Sequence, residues 1–375
     1  MVYIPKKVEI ILWLKSGGRC EYSGCAKALW RDDLTLTEMN RAYRAHIIAA
    51  SPDGPRGHPE LSEKLAKDFD NLMLLCDTHH RLIDKQDVEG HPPELLRRYK
   101  REHEERIERL TGIQPSKKTH VLMLSSNIGE RKGRVSFEEA RNAILPERYP
   151  STDTGIHFNL VEGVLRDDDD EFWMVASKNI SRQVKVRLET GPNGKPISHL
   201  SIFALAPIPC LIHLGKEVGD IVSADVYQRQ RGEGDWTWKT LEDDKFEYEV
   251  LKPEKSESDN ARVVLNLSLS GTIQQNAIRA AMDGSYSAYT MTINRPRRTF
   301  LRSQEQLELF SNMFRELLSE IRETHGDDTE IHLFPAVPNS VGVQIGRLLL
   351  PKADPPLHIY DYHKGHGGFR FALTV

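Results

Sequence analysis

Residues 71–80 read Asn71-Leu-Met-Leu-Leu-Cys76-Asp-Thr-His79-His80. Leu72 to Leu75 are an unbroken apolar run, as in a strand buried on both faces. The run ends at Cys76, and Cys76-x2-His79 is a thiolate–imidazole pair at metal-ligand spacing. A second pair stands upstream, where residues 20–25 read CEYSGC and supply Cys20 and Cys25. The two pairs together form the donor set of a closed tetrahedral zinc site. Such a site contributes about 10–16 kcal/mol of folding free energy in small zinc modules. The bland alternative is three buried cysteines and a surface histidine. Two independent pairs at ligand spacing argue against it.

The rest of the composition bounds the reading. A chain of 375 residues predicts two or three domains. With 39% hydrophobic and 28% charged residues, disorder of the whole chain is excluded. Only four cysteines occur, three of them in the first fifth, so no disulfide framework exists and clustered thiols point to metal. No apolar run is long enough to span a membrane, and the amphipathic start lacks a small-residue cleavage site. A cytoplasmic protein is the default expectation. Net charge is −4, and residues 1–115 carry equal numbers of acidic and basic side chains. Any contact with phosphate must therefore use local patches or several copies acting together.

Residues 1–112 read as one block, closed by a helix that Pro93 can start and Gly112 can cap. Residues 113–118 read as a linker. From 119 to 375 strands alternate with helices. HVLMLSSNIG, SHLSIFALAPIPCLIHLGKEV, ARVVLNLSLSG and IHLFPAVPNSVGVQIGRLLL supply the apolar runs, and residues 303–326 supply a long amphipathic helix. The pattern predicts an α/β sheet of Rossmann-like type. It permits two related halves.

Within the first block, Arg44-Ala-His46-Ile-Ile places His46 in a strand-like run. The order Cys-x4-Cys, Ala-His-Ile, Asn-Leu-x-x-Leu-Cys-x-x-His-His resembles the HNH nuclease family over roughly residues 18–90. The resemblance implies a zinc-containing ββα-metal fold of α+β class. It implies that His46 is the general base, that Asn71 orients the loop or the base, and that His80 holds a catalytic divalent ion, Mg²⁺. Imidazole titrates near neutral pH, which suits a base for phosphodiester hydrolysis. One position departs from the family. Many members carry an acidic metal ligand just before the first histidine, where this chain has Ala45. Asp70 and Asp77 are the sequence candidates for that missing ligand, the alternative being an ion held by His80, phosphate and water alone. The 24 residues between His46 and Asn71 form an insertion in which Arg56, Lys64 and Lys67 are candidate DNA contacts.

The second block, over about residues 118–375, resembles the SAVED domain. That domain is a cyclic-oligonucleotide sensor of bacterial antiphage defence, built like two fused CARF (Rossmann-like) units. The two-block order resembles HNH–SAVED effector nucleases of cyclic-oligonucleotide-based antiphage signalling systems (CBASS). The resemblance implies double-stranded DNA as substrate, a cyclic di- or trinucleotide as activator, and self-association to a dimer or tetramer when ligand is bound. The residues themselves add a candidate ligand edge, because loops after α/β strands gather at one sheet edge. Ser125, Ser126 and Asn127 follow the first strand. Tyr227, Gln228 and Arg229 stand near Trp236 and Trp238, in a segment able to stack bases and pair phosphates. Pro338 and Asn339 precede a helix whose N-terminus suits phosphate. The competing reading is a zinc-stabilised nucleic-acid-binding regulator with a small-molecule sensor and no catalysis.

Overall fold

The computed structural model describes all residues except 1, 129–130, 161–164, 170, 189–190, 192–193, 195, 221, 233, 240–246, 254–261, 351–352, 364 and 366. The chain forms two compact units, Met1–Gln114 and Pro115–Val375. Among the described residues, no helix is long and apolar enough to cross a membrane.

The first unit begins with helix α1 (Lys6–Lys15) and continues through the cysteine turn to strand β1 (Tyr43–His46). A short helix α2 (Leu61–Leu65) and a 3₁₀ turn (Phe69–Asn71) follow, then strand β2 (Leu72–Leu75). Helix α3 (Asp77–Arg81) runs into a π-turn (Leu82–Gln86), and helix α4 (Pro93–Thr111) closes the unit. Strands β1 and β2 pair antiparallel with His46 opposite Leu72 and Tyr43 opposite Leu75. All four residues of β2 are buried, as their apolar run dictates. Leu12 of α1 and Leu96 of α4 join them in the core. Pro93 occupies the first turn of α4, where a missing N–H costs nothing, and Gly112 caps the helix.

The second unit carries two sheets. Strand β3 (Lys118–Ser125) leads into a two-rung hairpin of β4 (Asn127–Ile128) and β5 (Arg131–Lys132), then helix α5 (Phe137–Ile144). Next come β6 (Tyr149–Pro150), β7 (Ile156–Asn159), α6 (Phe172–Leu188), β8 (His199–Leu205), α7 (Ile208–Val218) and β9 (Ser223–Tyr227). The sheet order is β6–β3–β8–β9, with β7 also pairing β3, and every pair is parallel. The second sheet contains β10 (Tyr248–Leu251), β11 (Arg262–Ser268), β12 (Ser287–Ile293), β13 (Glu330–Ala336), β14 (Leu357–His363) and β15 (Gly368–Thr374). Its order is β10–β12–β11–β13–β14–β15, parallel at the centre and antiparallel at both edges. Helices α8 (Gln275–Ala281), α9 (Gln304–His325) and α10 (Asn339–Leu348) connect these strands. The Ser303–Gln306 capping box starts α9, and its predicted apolar face, from Leu307 to Ile321, is buried.

Helices α7 and α10 pack against each other so closely that backbones touch. A Cβ added at Gly346 would sit 1.9 Å from the Ile212 carbonyl oxygen, and one at Gly215 would sit 2.0 Å from that of Val343. The two glycines let the helix following β8 and the helix following β13 cross at van der Waals distance. The two sheets are thereby joined through these helices.

Candidate functional site

The cysteine turn and the start of α3 converge. The ligand atoms of Cys20, Cys25, Cys76 and His79 all lie within 4.8 Å of one another. Cys76 Sγ is 3.2 Å and Cys20 Sγ 3.6 Å from His79 Nδ1. A tetrahedral zinc with ordinary Zn–S and Zn–N lengths sets such an S···N edge at about 3.6 Å. The donor set and its spacing therefore fit zinc. Burial pushes the Cys20 thiol well above its ordinary pKa, so a thiolate there needs a neighbouring cation. Tyr22 stacks flat on the His79 ring at 4.1 Å, and its hydroxyl meets His91 Nε2 at 2.9 Å. These contacts fix the ring that presents Nδ1.

His46 ends β1. Its Nε2 lies 3.0 Å from the Ala66 carbonyl oxygen. A carbonyl only accepts, so Nε2 carries the proton, and the neutral ring keeps its lone pair on Nδ1. Asn71, 2% exposed, turns its carboxamide to the backbone just beyond His46. Its Nδ2 donates to the Ile48 and Leu65 carbonyls, and its Oδ1 accepts from the Ile48 N–H. Asn71 thus closes the base of the insertion. It does not bond the His46 ring.

His80 lies on α3, one residue past the zinc-fitting His79. Tyr43 of β1 stacks on its ring at 4.6 Å. Its Nε2 meets Asp84 Oδ2 at 3.1 Å. The other Asp84 oxygen takes an ion pair from Arg56 Nη2 at 2.5 Å. Burial works against the Asp84 carboxylate, but hydrogen bonds from His80 and Arg56 outweigh it and hold the carboxyl below its ordinary range.

One sequence expectation needs correcting in this region. Arg56 is not a free DNA contact. Its side chain is 4% exposed and donates to the carbonyls of Ile47, His46 and Ile83 as well as to Asp84. Asp77 is engaged by Arg81 at 2.9 Å, and Asp70 is exposed on the 3₁₀ turn. The carboxylate that stands beside His80 is Asp84, which sequence reasoning passed over. The signal was the spacing His80-x3-Asp84, which puts both side chains on one helical face. Lys64 and Lys67 are exposed, as DNA contacts require.

In the second unit several predicted ligand residues meet around the end of β8. The Ser126 N–H donates to the Leu205 carbonyl at 2.9 Å, and Asn339 Nδ2 donates to the Ala204 carbonyl at 3.2 Å. Gln228 Oε1 accepts from both the N–H and the hydroxyl of Ser340, at 3.1 and 2.8 Å. Gln228 therefore already occupies part of the α10 N-terminus that the sequence reading assigned to phosphate, just after the buried Pro338. Ser125 and Asn127 stand half-buried at the β3 end.

The aromatic expectation fails in part. Trp236 is fully buried, edge-on to Phe203, which itself stacks on Tyr227, 5% exposed. Neither ring has a free face for a base, because both complete the apolar core behind β3 and β8. Trp238 is half-buried against the same core. Arg229 lies 3.7 Å from Glu139 and its guanidinium stands 5.9 Å from the Trp236 ring centre.

Comparisons with known proteins bear on the second unit. The family model described as "SMODS-associated and fused to various effectors sensor domain" (SAVED) matches residues 178–375. Among solved structures, the Acinetobacter baumannii Cap4 SAVED/CARF-domain containing receptor with the cyclic trinucleotide 2'3'3'-cAAA is similar at 14% identity and a TM-score of 0.43. That match covers 84% of this chain and 66% of the other. The Moraxella osloensis Cap4 receptor is similar at 13% identity and a TM-score of 0.40, covering 77% of this chain and 59% of the other. This chain thus spans less than two thirds of the length of the structures it matches. No curated protein matches.

Proposed function

Since the chain belongs to the family of proteins carrying the SAVED sensor domain, we propose that it is a cyclic-oligonucleotide-activated DNA endonuclease of antiphage defence. The second unit is the sensor and the first unit is the HNH-type nuclease. The observation that carries the nuclease half is the placement of His46, Asn71 and His80 on one strand–strand–helix unit whose helix starts at a zinc-fitting Cys/His cluster.

Hydrolysis of a phosphodiester needs a water stripped of its proton and a phosphate whose charge is offset. His46 takes the water proton on Nδ1. As the ring becomes an imidazolium, its Nε2–H bond to the Ala66 carbonyl strengthens, because the donor is now charged. Arg56 holds the His46 and Ile47 carbonyls and Asn71 holds the Ile48 backbone just beyond them, so the ring does not drift. His80, held by the Tyr43 ring, is the residue that would hold the divalent ion. That ion, Mg²⁺ in our reading, would supply positive charge against the scissile phosphate and the leaving oxygen.

Gating follows from charge. The first unit is electrically balanced, so one copy neutralises few phosphates and binds DNA weakly at physiological salt. Several copies held on one duplex gain by effective concentration. A cyclic di- or trinucleotide that assembles the sensor units into dimers or tetramers would then switch cleavage on. The alternative of a regulator without catalysis rests on Ala45 and on the balanced charge of the first unit, and against it an Asp84 carboxylate stands beside His80.

The test is Mg²⁺-dependent plasmid nicking by the full chain, with and without a panel of cyclic oligonucleotides. The panel includes 2'3'3'-cAAA and 3'3'3'-cAAA, the ligands named for the Acinetobacter receptors. Nicking that needs one panel member is expected. Nicking at equal rate without any ligand would remove the gating, and binding of a ligand with no cleavage of any nucleic acid would remove the nuclease.

A further inference from the structure

We propose that Asp84 is the second protein ligand of the catalytic divalent ion, with Arg56 as the residue that positions it. The proposal rests on the nuclease reading above and assigns a ligand that the sequence leaves vacant at Ala45. Ala45 is 1% exposed and packed in the core, so the strand offers no carboxylate at that register. The helix offers one. Asp84 Oδ2 is 3.1 Å from His80 Nε2. Two adjacent ligands of an octahedral Mg²⁺, each at its ordinary 2.0–2.1 Å, stand about 3.0 Å apart. The pair therefore stands at a separation that neighbouring ligands on one ion share with the hydrogen bond described above.

Geometry also explains Arg56. Its guanidinium takes Asp84 Oδ1 and leaves Oδ2 toward His80. The same guanidinium bonds the carbonyls of His46 and Ile47, so the carboxylate is fixed relative to the strand that carries the base. The buried Arg56 charge offsets part of the Asp84 charge. A singly charged, partly offset carboxylate plus one imidazole makes a weak site that leaves room for water and phosphate, as Mg²⁺ in phosphoryl chemistry requires.

The competing role is a hydrogen-bond acceptor that merely orients His80. D84N separates the two, because asparagine keeps an oxygen for the His80 N–H and loses the anionic ligand. The measurement is Mn²⁺ binding to the zinc-loaded full chain, followed by loss of the free-Mn²⁺ electron paramagnetic resonance signal. The unaltered chain should bind one Mn²⁺ that H80A does not, and D84N should weaken that binding about tenfold or more. D84H, which supplies a neutral nitrogen ligand, should regain binding with Mn²⁺ favoured over Mg²⁺. D84N binding Mn²⁺ as tightly as the unaltered chain overturns the proposal while leaving His80 in place. Equal binding by the unaltered chain and H80A removes the ion from this helix altogether, and the nuclease reading falls with it. Should D84N fold poorly because Arg56 loses its partner, D84E keeps the charge and moves the carboxylate by one methylene. Unchanged Mn²⁺ affinity and unchanged Mg²⁺/Mn²⁺ preference in D84E would then count against the assignment.

Discussion

The Asn71 carboxamide and the Ile48 backbone form a reciprocal pair, with Nδ2 donating to the Ile48 carbonyl at 2.8 Å and the Ile48 N–H donating to Oδ1 at 2.9 Å. The pair lies just beyond the backbone bond from the Ile47 N–H to the Asn71 carbonyl, which itself follows the last strand pair, His46 opposite Leu72. N71A would leave the buried Ile48 N–H and carbonyl without partners, at about 1–3 kcal/mol each before relaxation, while the Leu65 carbonyl keeps the Asp68 N–H. We expect about 3 kcal/mol lost in chemical denaturation of the full chain. N71D should be at least as harmful, since a carboxylate cannot donate to the two carbonyls. A variant as stable as the unaltered chain would show that the insertion does not depend on this pair.

Removing the base should separate chemistry from sensing. H46A is expected to lower the ligand-stimulated nicking rate about 100-fold or more, the ordinary size of a lost general base. Binding of the cyclic oligonucleotide, measured by calorimetry, should stay unchanged. Nicking retained in H46A would take the base role away from His46.

Elemental analysis should find one zinc per chain, and C76A should abolish it. Metal binding to such a cluster carries about 10–16 kcal/mol of folding free energy in small modules. The first unit should therefore unfold in C76A or after prolonged chelation, while the second unit keeps its own thermal transition. A zinc-free preparation with an unaltered melt would refute the cluster's structural role.

The α7–α10 crossing predicts an inverted sign for a familiar substitution. Gly to Ala inside a helix normally stabilises by about 1 kcal/mol. At Gly346 the new methyl would stand 1.9 Å from the Ile212 carbonyl, which is backbone and cannot swing away. G346A should destabilise the second unit by about 3 kcal/mol. A stability gain would mean that the helices have room to part.

Acid should weaken the second unit through His199. Burial holds this imidazole down to about 4, against the pull of Asp225, with Arg148 pushing it further down. The unfolded chain titrates near the ordinary 6.5, so between pH 6.5 and 4 it binds more protons than the folded one. Stability is therefore full above pH 6.5 and declines as pH falls through that window. H199Q, which cannot titrate, should flatten the decline in thermal melts. An equally steep decline in H199Q would place the acid sensitivity elsewhere.

Much of this molecule was legible from local patterns. The runs around Leu122, Ile202, Leu265 and Leu333 are strongly apolar because they lie inside sheets covered on both faces. The cysteine pairs were legible because ligand spacing is a short-range property. What stayed hidden depends on partners distant in sequence. Arg56 sits in a polar insertion and reads as solvated, yet it is buried because Asp84, 28 residues on, waits for it. Trp236 reads as a stacking platform beside charged neighbours, yet it is fully buried with its ring edge-on to Phe203. The α10 N-terminus reads as open, yet Gln228, 112 residues earlier, fills it.

That last contact runs from the first sheet to the helix of the second, and Asn339 returns the favour by donating to Ala204. Each half finishes an end that the other leaves raw. Severed between the two sheets, the second fragment would carry an uncapped α10 and the first an unpaired Ala204 carbonyl, each with a bare glycine furrow and nothing to fill it. An architecture that looks like a duplicated repeat is thus no longer divisible, and split-protein complementation would have to rebuild both halves at once.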